Sequence, residues 1–272
     1  MAKQKKSSSK KSTALPKWLK VSLWVMLLLA VIALVYENKK YIRRAYRYFS
    51  HKYIKTQWKR TDFPLDYEVH GIDISHYQDV ADWKKLQAIN TIGDTLQMEF
   101  VIIKATEGMF KEDEAFDEYW DEAKNQQLIR GAYHYFLPDR SVKLQAGNFI
   151  SSVALQKGDL PPVIDIEESR GKSKKEIVKA VKEFAAELEK TYKTKPIIYS
   201  NINFIEDYLA DDFAAYPFWI AHYYQNEIAP PDSVRWLFWQ HSDKADLLGI
   251  KGGVDANVFN GTKQELQKLL IQ

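Results

Sequence analysis

The sequence contains no cysteine among its 272 residues. Disulfides, thiolate metal sites and a cysteine nucleophile are therefore excluded, although the redox compartment stays undecided. Acids are also nearly missing from residues 1–60, which hold 16 Lys and Arg but only Glu37 as an acid. Residues 61–272 carry 23 basic and 35 acidic side chains, a formal net charge of −12. Because such a domain repels a phosphate backbone, we expect no nucleic-acid partner despite the sequence pI near 8.7.

The N-terminal part of the chain differs in composition from the rest. Residues 1–20 hold seven lysines and no acid, which is typical of a basic disordered tail. Residues 21–36 carry no charge and are predicted to form a transmembrane anchor, with a cleaved signal peptide or a buried core helix as alternatives. Residues 37–66 are predicted to be a basic juxtamembrane stalk, either solvated or lying on anionic headgroups.

The expected location follows from the lysine-rich start of this hydrophobic segment. It favours a cytoplasmic N-terminus and places a domain of residues 67–272 outside the cytoplasm, in the cell envelope. The membrane is then a partner of the N-terminal helix and of the basic stalk. Secretion after cleavage is the alternative.

Short apolar runs alternate with amphipathic stretches from His70 onward. Strands are predicted for eight of these runs, at 71–77, 100–106, 130–136, 162–168, 195–201, 217–223, 236–242 and 253–259. Ser173 and Glu176 have the spacing of a capping box that starts one of the intervening helices. Apolar strands alternating with helices indicate a parallel sheet covered on both faces. The predicted fold class is α/β, an irregular (β/α)8-like barrel with short or missing later helices, preceded by an N-terminal transmembrane helix.

Polar residues fall towards the carboxyl ends of these strands, where the chemistry of such barrels is found. Asp165 and Glu167 are two residues apart and should project from one face of their strand. Asp73 and Asp255 bring two further acids to the same rim. Carboxylates that share a cavity cannot all ionise at little cost, so one keeps its proton near neutral pH. A neutral acid beside an anion is what cleavage of a glycosidic bond needs.

Aromatic and amide side chains in or beside the strands suggest a carbohydrate ligand. Flat rings stack on pyranose faces, and Asn and Gln can hydrogen-bond hydroxyl and acetamido groups. The candidate substrate-binding residues are Tyr133, Tyr135, Tyr199, Trp219, His222, Gln240 and Asn257.

Eight segments resemble, in order, those of the glycoside hydrolase family 25 lysozymes, the Chalaropsis-type muramidases: GIDISHYQ, FVIIKATEG, GAYHYF, LPPVIDIE, KPIIYSN, PFWIAHY, WLFWQHS and GVDANVFNG. The resemblance covers residues 70–261. It implies a β/α barrel that hydrolyses the β-1,4 bond between N-acetylmuramic acid and N-acetylglucosamine in peptidoglycan glycan strands, without a metal or other cofactor.

The family's D-x-E motif falls on Asp165 and Glu167. The resemblance implies that Glu167 is the general acid and that Asp165 orients the substrate's 2-acetamido group or stabilises an oxazolinium-like intermediate. Asp73 and Asp255 complete the acidic floor. A covalent enzyme intermediate stays open, although attack by the acetamido oxygen is favoured. His241 stands where the family's tryptophan-glutamine motif is followed by an aromatic residue, which predicts an altered subsite beside the glutamine.

Three other interpretations are open. The paired acids could be neutralised structurally by Lys104 or Arg130. The chain could be a catalytically silent glycan-binding or wall-anchoring membrane protein. A metal-dependent hydrolase would draw its ligands at the barrel mouth from His76, His134, His222, His241, Asp73 and Asp255, although no H-x-H or H-E-x-x-H spacing is present.

Overall fold

The computed structural model describes residues 17–38, 42, 63–64, 66–80, 82–86, 88–90, 95–225 and 227–272. The chain divides into two compact units, residues 1–50 and 51–272. Most of the predicted tail and most of the predicted stalk lie outside the described residues.

The first unit contains helix α1, Lys17–Glu37. Within the described part of the chain, no helix is both long and apolar enough to cross a membrane. The predicted transmembrane anchor at residues 21–36 is therefore not supported. Sixteen uncharged residues reach only ~24 Å as a helix, whereas the hydrocarbon core of a bilayer is ~30 Å thick.

The second unit is built around a closed ring of eight strands. These are β1 Val69–Ile74, β4 Thr95–Glu107, β6 Ile129–Tyr135, β7 Val163–Asp165, β8 Ile197–Asn201, β9 Phe218–Ala221, β10 Trp236–Ala245 and β12 Val254–Phe259. They pair in that order, and β12 returns to β1. All eight predicted strands overlap members of the ring, so the predicted barrel is confirmed. Short strands outside the ring are β2 Asp79–Val80, β3 Ala88–Asn90, β5 Lys111–Glu112 and β11 Ile250–Lys251.

The direction of β12 corrects the prediction of a wholly parallel sheet. Six successive pairings from β1 to β10 are parallel, but β12 is antiparallel to both β10 and β1. The reversal is possible because a hairpin-like connection containing β11, not a helical crossover, joins β10 to β12. Asp255 is near the start of β12 and pairs in register with Asp73 near the end of β1. The reversed strand therefore brings its acid to the rim from the opposite chain direction.

Helices cover the barrel unevenly. They are α2 Trp83–Leu86, α3 Phe116–Asn125, α4 Val142–Ser152, α5 Lys174–Tyr192, α6 Ile202–Phe204, a π-helix Ile205–Leu209 and α7 Lys263–Leu269. The capping box of Ser173 and Glu176 at the start of α5 is confirmed. No helix is found in the described residues between β9 and β10, in line with the prediction of short or missing later helices.

The strands separate two apolar cores. Inside the ring, Phe238 contacts Phe100 and Phe259 with ring centroids 5.2 and 5.1 Å apart. Gly71 gives these rings room, because a Cβ there would lie 2.4 Å from the Phe100 ring. The outer core lies between the strands and the helices, with Phe184 of α5 fully buried in it. Since Phe100 pairs in register with Gly71, two residues before Asp73, aromatic rings fill the barrel below the acids.

Candidate active site

A polar cavity of about 160 Å³ opens at the carboxyl end of the barrel. It is lined by Asp73, Tyr133, Asp165, Glu167, Tyr199, Trp219, Tyr223, Gln240 and Asp255. Residues from seven of the eight barrel strands or the segments just after them therefore meet at one place. All four acids singled out in the sequence are among them.

Asp165 and Glu167 reach the cavity from the end of β7. The strand is shorter than predicted and ends at Asp165, but the alternation of side chains continues, since Ile166 is fully buried in the outer core. Asp165 is 5% exposed, and its Oδ1 has no hydrogen-bond partner in the described residues. Burial, and next the Glu167 charge, hold the pKa of Asp165 well above its ordinary value. Burial, and next the Glu168 charge, raise the pKa of Glu167.

Asp73 is held by two side-chain amides. Gln240 donates from Nε2 to Asp73 Oδ2 over 2.8 Å, and Asn257 donates from Nδ2 to the same oxygen over 2.7 Å. Despite these donors, burial and the nearby Asp255 charge keep the pKa of Asp73 well above its ordinary value. Asp73 is therefore fixed in position while remaining a proton-binding group.

Aromatic side chains set the orientation of both amides. The Trp219 indole donates from Nε1 to Asn257 Oδ1 over 2.7 Å, and an indole N–H can only donate. The Asn257 NH₂ group must then face Asp73. The Tyr199 and Tyr223 hydroxyls donate to Gln240 Oε1 over 2.7 and 2.8 Å, which turns the NH₂ group of Gln240 in the same direction.

Asp255 titrates close to neutral pH. Burial, followed by the charges of Asp243 and Glu167, raises its pKa to about 7. A hydrogen bond with Asp73 acts in the opposite direction. Asp73 and Asp255 therefore behave as an acid pair that shares a proton.

The raised pKa of Asp255 should make the free energy of unfolding depend on pH. Between the ordinary value of 3.8 and about 7, native Asp255 holds a proton that the unfolded chain has released. The contribution of Asp255 to the free energy of unfolding is thus fully present below pH 3.8 and is lost as the pH rises through 7. The free energy of unfolding should fall between pH 5 and pH 8 in the parent chain. In Asp255→Asn we expect this fall to be smaller by roughly 1–3 kcal/mol, measured by urea denaturation. The exposed Asp232→Asn is the control, and equal pH dependence in Asp255→Asn and the parent would contradict the prediction.

Basic side chains near the cavity are paired elsewhere. Lys104 donates to Glu107 over 2.7 Å, and Arg130 forms a buried ion pair with Asp159 at 2.9 Å. No ion pair between described residues uses a cavity acid. The alternative of a structural salt bridge to Lys104 or Arg130 is therefore wrong. Lys104 still acts at a distance, because its charge lowers the pKa of both Asp165 and Glu167.

Removing this charge should shift the pH–rate profile. We expect Lys104→Met to move both limbs to higher pH, because Asp165 and Glu167 would each keep their protons longer. Lys111→Met is the matched control, since Lys111 also bonds Glu107, at 3.3 Å, but is exposed. Rates of glycan hydrolysis measured from pH 4 to pH 9 check this. An unchanged Lys104→Met profile, or an equal shift in Lys111→Met, would contradict it.

The predicted substrate-binding residues do not all line the cavity. Tyr133, Tyr199, Trp219 and Gln240 do, and Asn257 lies behind the wall as the partner of Asp73. Tyr135 and His222 are not part of the lining. Tyr135 instead lies over Lys104, with Nζ 5.1 Å from its ring centroid. Tyr223 also lines the cavity, although it is not among the candidate substrate-binding residues, and its position as the last residue of the predicted strand 217–223 is the available signal for it.

The histidines considered as metal ligands do not gather at the cavity, since none of His76, His134, His222 and His241 is part of its lining. His76 pairs with Asp113 at 2.6 Å, and His134 contacts Thr106 and Gln145 through its two ring nitrogens. The described residues contain no group of three His, Asp or Glu side chains able to hold a metal ion. This arrangement does not support the metal-dependent alternative.

His241 faces away from the cavity. It follows Gln240 on β10, so its side chain points to the opposite face, where it is fully buried and edge-on to Phe63 and Trp239. Neither ring nitrogen has a hydrogen-bond partner within the described residues, and burial lowers its pKa to about 3. The prediction that His241 alters a subsite beside Gln240 is therefore wrong.

A cavity that combines several buried acids of raised pKa with an aromatic wall fits a glycosidase. Comparison with known proteins agrees: the family model described as "Glycosyl hydrolases family 25" matches residues 72–250. The chain belongs to this family of glycoside hydrolases, which confirms the resemblance of the eight segments.

Three known proteins illustrate the relationship. The uncharacterized protein YegX of Escherichia coli K12 is 44% identical over 204 residues, covering 75% of this chain and 74% of YegX. Lysozyme M1 of Streptomyces globisporus is 31% identical over 226 residues, covering 78% of this chain and 74% of that lysozyme. The crystal structure of a bacterial lysozyme from Streptomyces coelicolor superposes with a TM-score of 0.68 at 31% identity, covering 74% of this chain and 96% of that one.

Proposed function

We propose that this chain is a lysozyme that acts outside the cytoplasm and hydrolyses the β-1,4 bond between N-acetylmuramic acid and N-acetylglucosamine in peptidoglycan. The observation that carries the proposal is the meeting of Asp73, Asp165, Glu167 and Asp255 in one cavity with no ion pair to a described basic residue. Relatives named as lysozymes support the choice of substrate. We assign the activity to a catalytic domain of residues 67–272. Membrane anchoring through residues 21–36 is not part of the proposal.

In this proposal Glu167 is the general acid. It lies at the cavity wall, partly accessible, and its raised pKa keeps it protonated to higher pH than an exposed glutamate. It donates its proton to the glycosidic oxygen as the bond from that oxygen to the anomeric carbon breaks. Its carboxylate then takes a proton from the water that completes hydrolysis.

Asp165 assists the substrate's own acetamido group. Its buried Oδ1 has no hydrogen-bond donor among the described residues and is suited to accept the acetamido N–H. The acetamido oxygen then forms a bond to the anomeric carbon while the leaving oxygen departs with the proton from Glu167. The carboxyl group of Asp165 stabilises the resulting oxazolinium-like ring until water attacks the anomeric carbon and reopens it.

Asp73 and Asp255 form the polar floor of the site in this mechanism. Their shared proton limits the negative charge of the cavity, so a neutral sugar can enter without facing four carboxylates. Their hydrogen-bond supports, Gln240 and Asn257, are buried, and we assign them a positioning role.

The product of peptidoglycan digestion tests the proposal. Purified peptidoglycan is incubated with the full chain, and new reducing ends are identified by mass spectrometry after borohydride reduction. We expect reduced N-acetylmuramic acid. Reduced N-acetylglucosamine would indicate a glucosaminidase, free stem peptides an amidase, and binding without any cleavage a silent glycan-binding protein; each would refute the proposal.

A further inference from the structure

The exposed large apolar side chains of the barrel all lie at one end. Within the described residues of the second unit they are Tyr77, Phe110, Leu144 and Leu248. They lie in the segments that follow the carboxyl ends of β1, β4, β6 and β10, which is the end that holds the acidic cavity. Single exposed apolar side chains need no explanation, but restriction to the face of the active site indicates a binding surface.

Tyr77 and Phe110 are the aromatic members of this set, and they follow neighbouring strands. β1 pairs with β4. Tyr77 is 76% exposed and Phe110 is 74% exposed, so each ring leaves a flat face open to solvent. Tyr77 is four residues beyond Asp73, which lines the cavity, and Phe110 is three residues before Asp113, which bonds the neighbouring His76. Flat apolar ring faces suit the apolar faces of pyranose sugars.

A buried carboxylate fixes the side chain next to Tyr77. Asp113, whose side chain is 1% exposed, accepts the backbone N–H groups of His76 and Ala115, both over 3.1 Å. It also lies 2.6 Å from His76 Nδ1, and because it acts as an acceptor, Nδ1 carries the hydrogen. Nε2 lies on the other side of the His76 ring, and no hydrogen bond within the described residues uses it.

The loop that carries these side chains is held on both sides. Gln78 accepts the backbone N–H of Ser75 over 2.9 Å, and its own carbonyl accepts the Tyr119 hydroxyl over 2.6 Å. The His76 ring contacts the Tyr77 ring with centroids 4.0 Å apart. A platform held in this way loses little conformational entropy when a ligand binds.

We propose that Tyr77, His76 and Phe110 form a subsite for an additional N-acetylhexosamine of the glycan strand, beside the acidic cavity on its β1–β4 side. The inference rests on the proposed function, whose substrate is a polymer that extends beyond a cavity of about 160 Å³. Tyr77 stacks on the pyranose ring, His76 Nε2 forms a hydrogen bond with a sugar hydroxyl, and Phe110 covers the sugar from the neighbouring loop.

Binding to an inactive full chain tests the subsite separately from catalysis. In a Glu167→Gln background, Tyr77→Ala should weaken binding of peptide-free peptidoglycan glycan strands about five- to tenfold, and Phe110→Ala about two- to fivefold, by calorimetry. Glu187→Ala is the control, because Glu187 is exposed on α5 and does not belong to this set of apolar side chains. It should change the affinity less than twofold. Circular dichroism spectra should stay unchanged in all three variants.

Activity on substrates of different length gives the second readout. In the active chain, Tyr77→Ala should lower kcat/KM for long glycan strands about five- to tenfold while leaving a disaccharide-length substrate unchanged. Equal binding by Tyr77→Ala, Phe110→Ala and the parent, or equal losses on short and long substrates, would overturn the subsite. If the wild-type chain released no new reducing ends, the proposed function would fail, while the binding comparison would still decide the subsite.

Discussion

Replacing Glu167 by Gln should lower kcat for peptidoglycan hydrolysis by at least about a thousandfold, with folding unchanged. The amide keeps the size of the side chain but has no acidic proton to give to the glycosidic oxygen. Because Glu167 is partly accessible at the end of β7 and pairs with no basic residue among those described, no ion pair is lost. Release of reducing ends under single-turnover conditions measures the effect.

The matched control for this variant is Glu187→Gln, which changes an exposed glutamate on α5 and should retain full activity. Near-normal activity in Glu167→Gln would remove Glu167 from the role of general acid. A large loss accompanied by an altered unfolding midpoint would show instead that the substitution damages the fold.

Replacing Asp165 by Asn should lower kcat about a hundredfold or more, because the amide cannot ionise and therefore cannot become the carboxylate that stabilises positive charge on an oxazolinium-like intermediate. Asn is close in size, and burial already raises the pKa of Asp165, so the native state should tolerate it well. Stability is expected to stay equal or to rise. Kinetics with peptidoglycan, together with urea denaturation, separate the two effects.

Substrates with and without the acetamido group provide the control for this prediction. Wild-type enzyme should discriminate strongly between glycan strands with N-acetylated and de-N-acetylated muramic acid, and Asp165→Asn should lose most of that discrimination. If Asp165→Asn kept the full ratio between the two substrates, Asp165 would not act through the acetamido group.

The barrel could be predicted because its strands are short apolar runs bounded by polar or amphipathic stretches. Each of the eight runs overlaps a strand of the ring, and the capping box of Ser173 and Glu176 starts the longest helix of the second unit. The reversal of β12 could not be predicted in the same way. An apolar strand has the same side-chain period of two whichever way it runs, so direction depends on the connection before it.

The acids of the site could be chosen from the sequence because charge in apolar strands is costly without a function. The hydrogen bonds that hold Asp73 could not be predicted, because its partners Gln240 and Asn257 lie 167 and 184 residues away in the chain. No local pattern encodes such contacts. The wrong prediction for His241 could have been avoided from the alternation of side chains along a strand, because its neighbour Gln240 already occupies the inward face of β10.

The proposed mechanism requires that burial and mutual repulsion keep protons on the acids of one cavity. Carboxyl-carbon NMR of the full chain, labelled at Asp and Glu and assigned with single Asn or Gln variants, measures this directly. We expect Asp255 to titrate near pH 7 and Asp73 and Asp165 to keep their protons well above the ordinary aspartate range. Titration of all four cavity acids below about pH 4.5 would contradict it.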